Sequence, residues 1–249
     1  MRLNNLIIAA SVLIGISLFT WPLFIGSDGA SAQAAFVVVC PMILAVIIGG
    51  FSSGVLGSRQ IATLAVVVAV NSAVRMLGAG FGGIETVFFL IVIAGFVFGA
   101  GFGFLTGVGS LFASALLTGG IGPWLPFQML AAGLVGIGAG LLPSVAKKTQ
   151  SWLLAGYAVI ASYLYGALMT MWNWPYLGGR GTSVSFVPGA GPAANLGRFF
   201  NYELVTGGLL WDTGRAITTA VLVLLTARTL QTTLERAARR ANINVSSGG

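Results

Sequence analysis

Residues 86–118 read TVFFLIVIAGFVFGAGFGFLTGVGSLFASALLT, a run of 33 residues without a formal charge. One helix needs about 20 apolar residues to cross the hydrocarbon core of a bilayer, so this run is too long for a single crossing. Glycines cluster between Gly99 and Gly103, where they permit a tight reversal of the chain. The run therefore predicts two membrane helices joined by a turn near these glycines.

The rest of the chain has the composition of an integral membrane protein. Its 249 residues are 57% hydrophobic and 7% charged, against about a quarter charged in soluble domains. With no histidine and one cysteine, Cys40, the sequence argues against a His/Cys metal site, a catalytic triad and an intrachain disulfide. We therefore expect no enzyme, no metal and no cofactor. The cations flank apolar segments, so the net charge of +7 is interpreted as a topology signal and not as a nucleic-acid site.

Further apolar segments of membrane-spanning length occur along the chain. They cover residues 6–25, 34–56, 60–78, 125–143, 152–173 and 212–233. Together with the two halves of 86–118, they predict an all-α membrane protein with eight crossings. A signal peptide cleaved near Ala32-Gln33-Ala34 is the alternative for the first segment. A retained helix is favoured because its apolar run is long and carries Trp21 where an interfacial anchor belongs.

The distribution of charges supports this count. With the N-terminus inside, eight cations lie inside and three outside, as the positive-inside rule requires. The inner cations are Arg2, Arg59, Lys147, Lys148, Arg228, Arg236, Arg239 and Arg240. The outer charges are Asp28, Glu85, Glu203 and Asp212 with Arg180, Arg198 and Arg215. The sequence thus predicts a multi-pass protein of the cell membrane with both termini in the cytoplasm.

Segment 60–78 carries two patterns. Ala65, Ala69 and Ala73 follow one another at four-residue spacing, which lets another helix approach closely in lipid, although such spacings also arise by chance in an Ala-rich chain. Asn71 and Arg75 lie one turn apart near the outer end. With Glu85 they are candidates to line an outward pocket; snorkelling of Arg75 to the interface is the alternative.

The four-residue spacing of glycines at 95, 99, 103 and 107 favours tight helix packing, with room for a ligand as the alternative.

Other candidate ligand contacts lie at predicted outer helix ends. Residues 174–211 form a long external loop, either a lid over a cavity or a cap on the helices. Asp212 and Arg215 are an i, i+3 pair, interpreted first as a cap and ion pair. The remaining candidates are Trp124, Gln128, Trp172, Asn173, Trp174 and Tyr202.

The run VFGAGFGFLTGVGSLFASALLTGGIGPWLPFQMLAAGLVGIGAGLLP (97–143), followed by YLYGALMTMWNWP (163–175), resembles the substrate-binding S components of energy-coupling factor (ECF) vitamin transporters. The resemblance is closest to the actinobacterial cobalamin-type branch and covers about 60–235. It implies two N-terminal helices (1–57), a six-helix binding core (58–235) and a cytoplasmic tail (236–249). The frequent FGP turn of the family reads Phe98-Gly99-Ala100 here.

The resemblance also implies partners and a mechanism. Ala65, Ala69 and Ala73 match the AxxxA motif with which the family docks on a membrane T subunit. A vitamin would be bound on the outer face and delivered inward with the T subunit and two ATPases. The chain has no phosphate-binding loop of its own, so ATP would be used by the partners. Cobalamin is the first-choice substrate, and haem, thiamine, riboflavin or a queuosine precursor are alternatives.

Two rivals come from other classes. A membrane enzyme would need titratable residues that converge at one depth, whereas Glu85, Glu203 and Asp212 all fall at predicted outer ends and could at most form a small external cluster. A non-transport structural subunit is the other rival.

Overall fold

The computed structural model describes residues 2–24, 29–52, 57–78, 82–177 and 181–241. These residues form ten helices and no β-strand. The helices are α1 (Arg2–Phe24), α2 (Gly29–Ser52), α3 (Ser58–Arg75), α4 (Phe88–Phe98), α5 (Ala100–Thr118), α6 (Leu125–Gly140), α7 (Lys147–Met171), α8 (Trp174–Leu177), α9 (Pro192–Thr206) and α10 (Gly208–Ala241). Asp28 and Arg180, both predicted to be external, lie outside the described residues, as do residues 79–81 of the turn before Glu85.

Several of these helices have the length and composition of membrane spans. Within the described part of the chain, four are long and apolar enough to cross a membrane: Asn5–Phe24, Ala100–Thr118, Lys147–Met171 and Gly208–Arg240. Val37–Gly50, Phe88–Phe98 and Leu125–Gly140 are shorter apolar helices. The expected all-helical, membrane-spanning character is therefore supported.

The long apolar run divides at one glycine. Helix α4 ends at Phe98 and α5 begins at Ala100, and Gly99 between them has φ +90° and ψ 173°. An L side chain rarely adopts this backbone conformation, so glycine is the residue that allows the two helices to follow each other directly. The predicted split is confirmed.

Tight packing accounts for the other glycines of this region. A Cβ on Gly103 would collide with the carbonyl oxygen of Gly136, and one on Gly107 would collide with that of Ala132. These glycines bring the backbones of α5 and α6 into direct contact. All residues of α4 are buried, so this helix is the centre of the bundle. The interpretation of the glycines as packing residues is confirmed for this pair of helices.

Two predicted boundaries are wrong. Residues 174–211, predicted as a long external loop, contain α8, α9 and the first residues of α10, so the last long helix begins before the predicted residue 212. Helix α10 begins at Gly208 and continues past the predicted end at residue 233 to Ala241, which takes in the first part of the predicted tail. The reason is local: residues 234–241, LERAARRA, are almost all strong helix formers.

Helix α1 is packed into the bundle. The Phe19 ring meets the Phe127 ring edge-on at 5.8 Å, and the Trp21 indole N–H donates to the carbonyl oxygen of Trp172 at 3.0 Å. Trp21 is 2% exposed. The expectation that Trp21 anchors α1 at a lipid interface is therefore wrong, because its polar atom is satisfied inside the protein.

The two ends of the bundle differ in their charged residues: one end carries both acidic and basic side chains, and the other is mainly basic. We call the polar end the region formed by the C-terminal ends of α3, α5 and α7 and the N-terminal ends of α4, α6 and α10, which contains Glu85, Asp212 and Arg215. We call the basic end the opposite region, which contains the first turns of α3 and α7 and the last turns of α10. Its cations line two clefts and are Arg59, Lys147, Lys148, Arg228, Arg236 and Arg240.

Candidate functional site

A buried ion-pair network is the centre of the polar end. The Arg215 guanidinium bonds the Glu85 carboxylate through Nε and the Asp212 carboxylate through Nη1. Nη1 also donates to the carbonyl oxygen of Ser162 at 3.3 Å. The side chains of Arg215 and Asp212 are 7% and 6% exposed and that of Glu85 is 20% exposed. Glu85 is therefore the member of the network that a ligand can reach.

Close backbone contacts hold the network in place. A Cβ on Gly83 would collide with the carbonyl oxygen of Trp211, so the turn before Glu85 lies directly on the first turn of α10. On the other side, a Cβ on Gly166 of α7 would overlap both carboxylate oxygens of Asp212. Glycine at these two positions thus allows three separate segments to meet around one guanidinium.

Aromatic rings surround the charges. The Arg215 guanidinium carbon lies 5.0 Å from the Tyr165 ring centroid and 5.9 Å from that of Phe88, and the two rings pack edge-on at 4.6 Å. A cation over aromatic faces is stabilised by the ring quadrupole, the more so where water is excluded. Buried ionised groups are costly unless they are paired, and here the buried Arg215 and Asp212 and the partly exposed Glu85 each have an opposite partner.

Asn71 and Arg75 make a second polar contact, between α3 and α5. Asn71 Nδ2 donates to Ser110 Oγ at 2.9 Å, and Arg75 Nη1 donates to Ser114 Oγ at 2.9 Å. The expected trio of Asn71, Arg75 and Glu85 is not formed, because Arg75 turns to α5 whereas Glu85 turns to Arg215. The Oδ1 atom of Asn71 is buried, and no described residue donates a hydrogen bond to it.

Glu203 lies at the junction of α9 and α10. It is 3% exposed, and neither carboxylate oxygen forms a hydrogen bond with a described residue. Its carboxylate contacts Gly208, the first residue of α10, where the unpaired N–H groups of a helix attract negative charge. Burial is the main cause that raises the pKa of the Glu203 carboxyl above its ordinary value.

Two of the predicted ligand-contact tryptophans are used within the fold. The Trp172 ring stacks on the Phe127 ring at 3.9 Å and 6°, and Trp172 is 4% exposed. Trp174 is fully buried against Phe186 and Phe199, and its indole N–H donates to the carbonyl oxygen of Val184 at 3.0 Å. In this structure these rings join α6, α7 and α9, and neither presents a free face.

Other predicted residues at this end remain accessible. Trp124 is 48% exposed at the N-terminus of α6, and its ring lies on Gly122, which has no side chain to displace it. Gln128, Asn173 and Tyr202 are half-buried. Together with Arg75 and Glu85, they form the accessible part of the predicted set, and all lie at the polar end.

Sequence reasoning left Arg215 out of the predicted ligand contacts, although the i, i+3 pair with Asp212 was recognised and is confirmed. The missing information is the third partner, Glu85, which is 130 residues away along the chain. No periodic pattern reports such a contact. The clearest available signal was that an arginine near the start of a membrane helix requires a counter-charge.

The predicted docking stripe on α3 points away from the bundle. Ala65, Ala69 and Ala73 are all exposed, whereas Val67, Asn71 and Ser72 of the same helix are buried. The stripe is therefore available to a second helix. Docking of a T subunit on this stripe remains a prediction.

Three cavities lined by described residues lie away from the predicted ligand contacts. One of about 350 Å³ separates α7 and α10 at the basic end, and one of about 520 Å³ separates α3 and α10 at the same end. The third, of about 400 Å³, is an apolar groove between α1, α6 and α7, bordered by Val12, Leu134 and Leu168.

Comparison with known proteins returns no relative: no protein-family model, no curated protein and no solved structure matches the chain.

Proposed function

We propose that this chain is the substrate-binding membrane subunit of an ECF-type micronutrient importer. It takes its substrate, cobalamin as first choice, at the polar end and hands it inward with a T subunit and two ATPases. In this proposal the chain crosses the cell membrane eight times, both termini are cytoplasmic, and the six helices from α3 to α10 that span the membrane form the binding core.

One observation carries the proposal beyond the resemblance in sequence. Six of the ten residues predicted to contact substrate keep accessible side chains, which supports the proposal: Arg75, Glu85, Trp124, Gln128, Asn173 and Tyr202. The opposite end is basic, as expected for a cytoplasmic face. Accessible aromatic and polar groups at the same end suit a large ligand with both apolar and hydrogen-bonding surface.

The most direct experiment identifies what the protein carries. The chain is purified in mild detergent from cells grown on rich medium and denatured, and any released small molecule is identified by absorbance and mass spectrometry. A near-stoichiometric corrinoid supports both function and substrate. Haem, thiamine, riboflavin or a queuosine precursor keeps the class and replaces the substrate.

A second experiment tests the partners. Tagged chain isolated from its native cells should retain a T subunit and two ATPases, and Ala69→Leu should reduce that retention because the larger side chain prevents close helix approach. Val66→Leu is the matched control, since Val66 is also exposed on α3 but is not in the alanine stripe. Equal retention by both variants would mean that the stripe does not dock.

A structural subunit is the second candidate. The burial of Trp172 and Trp174 favours it, because these aromatics stabilise the fold without any ligand. This candidate predicts a protein that is purified empty, binds none of the vitamins when they are added, and keeps its partners.

A further inference from the structure

Three arginines from two helices converge on one cleft at the basic end. Arg59 of α3 and Arg236 and Arg240 of α10 line a cavity of about 520 Å³ together with Ala62, Thr63, Thr233 and Ala237. Among the described lining residues there is no carboxylate. None of the three guanidinium groups forms an ion pair with a described residue. Within the described part of the chain, the cleft therefore holds three like charges without a counter-charge in its lining.

The positive-inside rule does not by itself account for this arrangement. Membrane orientation depends on how many cations lie on one side, and it does not require them to face one another. Like charges in one cleft repel each other, and a bound anion removes that repulsion. The neighbouring cleft between α7 and α10 differs, because Glu235 lines it together with Lys147, Lys148 and Arg228.

The position of the cleft along the helices favours a membrane lipid as the source of the anion. Helix α10 has 34 residues and is about 50 Å long, more than the roughly 40–45 Å of a bilayer with its headgroup layers. Arg236 and Arg240 lie within its last six residues, and Arg59 is the second residue of α3. All three arginines thus lie near helix ends at the basic end, which the proposed membrane orientation places at the level of the lipid phosphates.

We propose that the cleft between α3 and α10 binds the headgroup phosphate of an anionic phospholipid. Guanidinium groups match phosphate oxygens in bidentate geometry, so the three arginines supply the donors that a headgroup phosphate needs. The alanine side chains leave room beside the charges for the glycerol backbone. Basic clefts between membrane helices are a known type of site for such headgroups. This inference concerns the basic end and is independent of the proposed transport function.

The test measures lipid affinity by native mass spectrometry of the detergent-purified full chain, titrated with phosphatidylglycerol or phosphatidylcholine. We expect preferential retention of phosphatidylglycerol by the wild type. Arg59→Gln, Arg236→Gln and Arg240→Gln should each weaken that affinity about fivefold. Arg239→Gln is the matched control, because Arg239 is exposed on the same turn of α10 but does not line the cleft.

The outcomes separate the alternatives. Equal retention of the two lipids would overturn the proposal, because it would show no preference for an anionic headgroup. Equal weakening by Arg239→Gln and Arg240→Gln would also overturn it, because binding would then not depend on the arginines that line the cleft. Displacement of the lipid by millimolar inorganic phosphate would assign the site to a free anion instead. Circular dichroism in neutral detergent checks that each variant is folded. If lipid preference is absent but an acidic partner subunit protects the cleft arginines from chemical modification, the cleft is a protein interface and the proposal is wrong.

Discussion

The two ends of this bundle carry their charges in opposite ways. At the polar end, Arg215 is buried between Glu85 and Asp212, and the three charges satisfy one another inside the protein. At the basic end, Arg59, Arg236 and Arg240 face an open cleft without a described counter-charge. The first arrangement contributes to folding, because each charge depends on its neighbours. The second leaves charge available to something outside the chain.

The largest effect is expected from Arg215→Met. This change leaves the buried Asp212 carboxylate and the partly exposed Glu85 carboxylate without their cation, and loss of one partner of a buried pair costs about 3–5 kcal/mol. Unfolding in detergent by a denaturant titration gives the free energy. Arg75→Met is the control, because Arg75 is half-buried and bonds only a serine hydroxyl among the contacts described, so its loss should cost about 1 kcal/mol. Equal losses in the two variants would show that the network does not stabilise the fold.

Gly166→Ala should destabilise the protein by about 1–3 kcal/mol, because the added methyl group displaces the Asp212 carboxylate from α7. The matched control is Gly156→Ala in the same helix, where a Cβ meets nothing within 4 Å. That change should be neutral or slightly stabilising, since alanine is the better helix former. Thermal unfolding in detergent compares the two variants. The contact would be refuted if both had the midpoint of the wild type.

Glu203→Gln should change the pH dependence of stability. Because burial raises the pKa of Glu203, the folded state binds this proton more tightly than the unfolded state. The stabilisation is present below the ordinary carboxyl pKa of about 4.3 and is lost as the pH rises through the raised value. The variant should therefore lose this part of the pH dependence and be more stable than the wild type at neutral pH.

Unfolding midpoints measured from about pH 4 to about pH 8 check this prediction. Glu235→Gln at the basic end is the control and should keep the wild-type dependence, because the groups at the α9–α10 junction are unchanged. A pH profile that is the same for wild type and Glu203→Gln would contradict the assignment.

The smallest effect is expected at the basic end. Arg228→Gln removes a cation that lines the α7–α10 cleft, and surface substitutions of this kind change stability by about 0.5 kcal/mol or less. The same denaturant titration in neutral detergent applies. A loss as large as that of Arg215→Met would mean that the two ends do not differ as described.

The helices could be predicted from local sequence because apolar runs and glycines report directly on membrane-spanning helices. The turn at Gly99 is the clearest case, since the run 86–118 is too long for one crossing and offers one cluster of flexible residues. Helix α9 was missed because residues 192–206 are not apolar enough for a span, although Pro192 at its first position and Gly207 after its last are ordinary signals of helix boundaries.

The end of the bundle at which the candidate residues lie could be predicted from the sequence. The contacts among these residues could not. Glu85, Asp212 and Arg215 were each noted, yet their meeting depends on the packing of the 82–83 turn against α10 at Trp211. The exposure of Trp124 and the burial of Trp174 also depend on packing. Both are tryptophans at helix ends, and the packing of Phe186 and Phe199 determines that one of them is covered.

Equilibrium dialysis of cyanocobalamin against the purified chain tests the substrate-binding role most directly. We predict saturable one-to-one binding that is lost in Trp124→Ala and kept in Trp152→Ala, an exposed tryptophan near the opposite end of the bundle. Replacing cobalamin by the other micronutrients under the same conditions covers the alternative substrates. If none of these ligands binds saturably to the folded wild-type protein, the chain is not a substrate-binding subunit.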